Sequence, residues 1–165
     1  MYADEPRSFA LNVRTPAKQL AEFLGKFDPK VAALARGALS KLRDRLPGAF
    51  ELVYDNYNAL AIAFSPTDSS SAAVFSIAVY PRWVSLFFAL GARLRDPRSI
   101  LKGSGNQMRH IVLASPDDIQ RPDVEALISE ALELAGNPID AGGSGRLIIK
   151  SIAAKQRPRR PVSTH

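Results

Sequence analysis

At Pro47-Gly48 the spacing of apolar side chains changes from a helical period to a strand period, which confines the chain to folds that pack helices on a sheet. Upstream, Val31, Leu34, Ala35, Ala38, Leu39, Leu42 and Leu46 trace one apolar stripe. Asp28-Pro29 supplies its start signal, and Lys41, Arg43 and Arg45 complement the dipole of its last turns. A shorter helix begins at Thr15-Pro16 and carries Leu20, Phe23, Leu24 and Phe27. Downstream, alternate positions are apolar in four runs: Phe50 to Tyr54, Leu60 to Phe64, Phe75 to Val79 and Val84 to Leu90. The breaks between them are short and turn-like, so the runs read as an antiparallel meander. The intervening residues are often small, which predicts one sheet face packed on helices and an opposite face that is shallow and open.

From Gly91 to Gln107 the alternation is lost, and residues 93–109 carry five cations against one acid. A fifth strand is predicted over 109–114. A third helix follows Pro122, with Val124, Leu127, Ile128, Ala131 and Leu132 on one side and Gly136-Asn137-Pro138 as its stop. Residues 116–140 hold seven acids and one arginine. A glycine-rich joint at 141–145 leads to a last strand near 147–152. The expectation is an α+β fold of two layers, with an antiparallel sheet of five to six strands packed against N-terminal and C-terminal helices. Residues 1–14 read as a loosely ordered arm, 15–154 as a single domain and 155–165 as a basic mobile tail.

The formal net charge of +6 is a property of the C-terminal end. Residues 1–140 contain 16 basic and 16 acidic side chains, whereas residues 141–165 contain six basic ones and no acid. With no cysteine, disulfides, thiolate zinc sites and iron–sulfur ligation are excluded. The two histidines, at 110 and 165, argue against a histidine-rich metal site. No apolar run approaches the ~20 residues of a membrane helix, so the expected setting is cytoplasmic, without membrane contact.

Four clusters could carry chemistry. Glu51, Tyr54, Asp55 and Tyr57 crowd oxygen groups at one strand end, suited to a polar ligand or a cation, or else to a polar turn. Glu51, inside an apolar strand, requires solvent or a cationic partner such as Arg109. Lys102, Gly103, Gly105 and Arg109 could cradle an anion, although their spacing is neither a Walker loop nor a dinucleotide fingerprint. His110 could act as a general base but has no orienting acid nearby in sequence. Lys155, Arg157, Arg159 and Arg160 could contact a polyanion non-specifically, or fold back on the acidic third helix.

The segments Gly91-x-x-Leu94-x-Asp96-Pro97, Leu101-Lys102-Gly103-x-Gly105 and Arg109-His110-Ile111 resemble the YdhG-like family, the domain of unknown function 1801. Glu51 to Asp55 and Trp83 to Phe88 are similar to the same family, and the resemblance spans roughly residues 16–114. Asn106 departs from it, standing where many members have lysine. The resemblance implies a compact α+β domain. Because some relatives are described as frataxin-like iron chaperones, it also implies iron delivery, which would use Glu51, Asp55 and Asp96. Here, however, the first long helix is basic and the acids lie on the third.

The leading reading is a non-catalytic binding domain, with no cofactor. Its polar cleft would hold a small polar or phosphate-containing ligand between Glu51, Tyr54, Asp55, Tyr57, Asp96, Lys102, Gly103, Gly105, Arg109 and His110. The alternatives are iron delivery and non-specific nucleic-acid contact through the tail. An alanine-rich sheet face leaves room for a homodimer.

Overall fold

A computed structural model describes residues 14–161. Two helices, α1 (Pro16–Gly25) and α2 (Pro29–Arg45), precede the strands. The Thr15 hydroxyl accepts from the Lys18 N–H and the Asp28 carboxylate from the Lys30 N–H, so both start signals act as caps. Gly48 turns the chain at φ +83°, and a Cβ there would lie 1.9 Å from the Asp140 carbonyl. Only glycine therefore allows residue 140 to close over the exit of α2.

The strands are β1 (Phe50–Asp55), β2 (Leu60–Ser65), β3 (Phe75–Val79), β4 (Val84–Phe88) and β5 (Arg109–Leu113). After them come α3 (Pro122–Ala135) and β6 (Leu147–Ile152). The sheet has six strands in the order β5-β4-β3-β2-β1-β6. The first five form the antiparallel meander, whereas β6 runs parallel to β1 with a register shift between Val53 and Tyr54. The fold is thus α+β with a mostly antiparallel sheet. The departure from a purely antiparallel sheet arises because β5 points the same way as β1 and the connection through α3 returns the chain to the end where β5 began, so β6 enters in that same direction.

Register fixes which side chains share a face. The rows Val53–Ile62–Ile77–Leu86–Ile111 and Asp55–Leu60–Val79–Val84–Leu113 face the helices. So does the row Glu51–Phe64–Phe75–Phe88–Arg109. Phe64, Phe75 and Phe88 are fully buried there, as is Phe27 at the end of α1. Each contributes about 1.5–3 kcal/mol by burial. The other face carries the rows Leu52–Ala63–Ser76–Phe87–His110 and Tyr54–Ala61–Ala78–Ser85–Val112. At the β1–β2 side, the turn Ser70–Ala72 leans over it: the Ser70 hydroxyl bonds that of Tyr54, and the Lys150 ammonium donates to the Asp68 carbonyl at 3.1 Å. Over β3 to β5, Trp83 and Val112 remain 43% and 44% exposed. The expected contrast between a packed face and an open one is present.

The C-terminal segment departs from expectation. Arg159 is only 5% exposed, and its Nη2 donates to the Asp55 carboxylate at 2.9 Å. Arg159 also donates to the Tyr57 and Asn56 carbonyls, and its guanidinium lies 5.6 Å from the Phe27 ring centre. The Arg157 N–H donates to the Tyr57 carbonyl, the Gln156 amide to the Asp55 carbonyl and the Arg160 Nε to the Lys26 carbonyl. Residues 156–160 are therefore a docked strap, not a free tail. The strap folds back onto β1 and the α1–α2 junction instead of the acidic α3, because Asp55 there is a carboxylate on the buried side of the sheet. Residues 1–13 of the expected arm and residues 162–165 lie outside the described residues.

Candidate functional site

The ten residues expected to line one cleft fall into separate places. Glu51 faces α2, where Arg43 grips it in a fork: Nε and Nη2 donate to the carboxylate at 2.9 to 3.1 Å. Arg109 is not its partner. Asp55 is occupied by Arg159, Tyr54 points to the open face, and Tyr57 is exposed at the β1–β2 turn. Arg109 and His110 lie on β5, four strands away from β1, or roughly 19 Å at about 4.8 Å per strand. A meander puts successive strands side by side, so its first and last members are kept apart by the strands between. The expected cleft uniting Glu51 and Asp55 with Arg109 and His110 does not form.

Asp96 has a structural task. Its two oxygens accept the Ile100 and Leu101 N–H groups at 3.0 and 2.9 Å, closing a turn in which Ser99 adopts φ +53°. The iron set of Glu51, Asp55 and Asp96 is therefore dispersed and already engaged. No group of three or more metal-ligating side chains occurs among the described residues.

Lys102 and His110 form a single bridge outside β5, which places Lys102 beside His110 on the open face. Gly103, at φ +123°, leads away from that bridge, and Gly105 follows in the same loop. The Arg109 guanidinium closes the loop from within, donating to the Gly105 and Met108 carbonyls at 2.6 and 2.8 Å. Both bonds use Nη1 alone, so the loop engages one end of the guanidinium. The His110 ring stacks on Phe87 at 4.9 Å between centres. Burial, then the nearby Lys102 charge, push its pKa below the ordinary value. Of the expected polyanion contacts, Arg159 is buried and cannot serve, whereas Lys155, Arg157 and Arg160 are exposed.

A cleft of about 1060 Å³ lies elsewhere, between the 95–100 loop and α3. Leu127, Ile100 and Ala126 give it an apolar lining. Arg95 clasps Glu130 at one side, its backbone N–H at 3.0 Å and its Nε at 3.4 Å. Arg121 bonds Asp123 at 2.6 Å and holds its carboxyl below the usual carboxylate range. Arg98 and Glu133 line the cleft with no ion-pair partner among the described residues. Of the expected site residues, only Asp96 belongs here. A sequence signal did exist: the cationic 93–109 segment and the acidic 116–140 segment are the two charged halves of this cleft.

Comparison with protein-family models, characterised proteins and solved structures finds no significant match to this chain. Among the described residues, no helix is long and apolar enough to cross a membrane.

Proposed function

We propose that the chain is a non-catalytic binding domain whose site is the cleft between the 95–100 loop and α3. The observation that carries this reading is the pair of unengaged opposite charges, Arg98 and Glu133, on an apolar-lined cleft of about 1060 Å³. Cavities of this order suit small molecules: the apolar lining removes surface from water, and a few polar groups set orientation. Arg98 would receive a carboxylate or phosphate, with a guanidinium geometry suited to either. Glu133 would receive an amine or hydroxyl donor. The ligand class is thus a small polar molecule with an anionic group at one end. Asp96 acts indirectly, by holding the turn that presents Arg98.

The test is a thermal-shift screen of the full chain against free amino acids and small phosphomonoesters. A ligand at 100 times its Kd stabilises by about 2.7 kcal/mol, enough to raise Tm by several degrees. Arg98→Ala should abolish the shift given by the anionic end, and Glu133→Gln should weaken it. Both side chains are exposed, so neither change threatens the fold. A screen without any shift, or a shift that survives both substitutions, removes this reading.

A further inference from the structure

The open face of the sheet offers a second surface, independent of the cleft. Flanking the turn between β3 and β4, Tyr80 and Trp83 stack with ring centres 4.7 Å apart. Four residues along β4, Phe87 stacks on His110. At about 3.3 Å per residue the two stacked pairs stand roughly 13 Å apart. Between them the floor is Ala78 and Ser85. Ser85 is 1% exposed and its hydroxyl has no hydrogen-bond partner. With its hydroxyl closed off from solvent, Ser85 makes the floor without offering a polar contact, and recognition falls to the aromatic rings.

The charges are sorted by face. The two carboxylates borne by strands, Glu51 and Asp55, both point toward the helices. Among the described residues, no strand places an acid on the open face. Around it stand exposed cations: Arg82 at the β3–β4 turn, Lys102 beside His110, and Arg146 and Lys150 at the β6 edge. Aromatic side chains on an uncovered antiparallel face, rimmed over β3 to β5 by Arg82 and Lys102, match the chemistry of unpaired bases on a charged backbone. Sheets of this kind stack two or three bases on their aromatics, while cations track the phosphates. A second copy of the chain fits worse, because it would oppose cation to cation across the interface.

We propose that the open face over β3 to β5 binds single-stranded nucleic acid, with Trp83 and Phe87 stacking bases and Arg82 and Lys102 contacting phosphates.

Trp83 is the sole tryptophan of the chain, so its fluorescence reports this face directly. The full chain is titrated with twelve-nucleotide oligo-dT and oligo-U and with a twelve-base-pair duplex, following tryptophan emission and the anisotropy of labelled strands. The expected result is quenching by the single strands, weakened by added salt, with the duplex at least tenfold weaker. Phe87→Ala should lower affinity about tenfold, in line with the worth of one stacked base. Arg82→Glu and Lys102→Glu alter exposed side chains and should each weaken binding several-fold while lowering the salt slope. The proposal is overturned if single strands neither quench nor raise anisotropy. It is equally overturned if binding leaves Trp83 emission unchanged and ignores Arg82→Glu and Lys102→Glu, since contact would then lie on the exposed Lys155 and Arg157. Sedimentation showing a dimer that shields Trp83 and excludes the oligonucleotides would assign the face to a second copy.

Discussion

Strand β1 carries two carboxylates on the same face, four residues apart, and each is held by an arginine. The Glu51–Arg43 pair sits at the sheet margin, with side chains 13% and 43% exposed. The Asp55–Arg159 pair is interior, at 2% and 3%. The outer pair has the better geometry, a two-pronged fork, yet water competes for it and its net worth is about 0–1 kcal/mol. The inner pair has one direct contact, and Asp55 Oδ2 and Arg159 Nε both lie buried without a partner. Removing either inner partner strands a charge in a medium that cannot solvate it. Location, more than the quality of the contact, decides which pair the fold depends on.

Substitutions can break that contrast. Arg159→Ala should show the largest effect, a loss of about 3–5 kcal/mol in urea unfolding. A loss under 1 kcal/mol would mean the strap is dispensable. Ending the chain after Ala154 should cost a similar amount, because it removes Arg159 together with the Gln156, Arg157 and Arg160 bonds. The double change Asp55→Leu with Arg159→Met should recover most of the loss, since apolar replacement of a buried pair is often neutral or stabilising. If the double variant is no better than Arg159→Ala, the pair's shape and not its charge is what matters. Arg43→Ala should cost no more than about 1 kcal/mol, and raised salt should shrink that further. The smallest effect belongs to His110, whose pKa is lowered from 6.5 by burial and then by Lys102. A lowered histidine pKa means the unfolded chain binds the proton more readily. Stability is therefore full above about pH 6.5 and declines as pH falls through the folded pKa. Replacing His110 with Gln should flatten that acid limb, measured as Tm from pH 7.5 to 5.

The two pairs also mark how far the sequence could be read. Helical and strand periods located the three α-helices and six strands of the described residues, because one-sided burial writes a local pattern. The apolar set Phe50, Leu52 and Tyr54 points the acids outward, and pairing with β2 reverses that; only the shared face of Glu51, Val53 and Asp55, set by strand parity, was legible. Their partners were not. Arg43 is eight residues from Glu51 across a helix-to-strand turn, and Arg159 is 104 residues from Asp55. Nothing local distinguishes Arg159 from Arg157 or Arg160, which remain exposed on the same strap. The cleft was half visible as two segments of opposite charge, but only the path of the chain across the sheet sets them face to face. In the glycine loop, Arg109 commits Nη1 to carbonyls of its own loop, a contact that no local pattern announces.

The strap sets an order of events when the chain is made. Asp55 leaves the ribosome 104 residues before the arginine that neutralises it. At about 5–20 residues per second, that interval is roughly 5–20 s. Throughout it, β1 has neither β6 along its edge nor a counter-charge at its end. A nascent chain can build the meander and α2, but the acid at the end of β1 must stay hydrated until Arg159 arrives. Arrival of Arg159, not collapse of the core, is the step that seals this edge of the sheet.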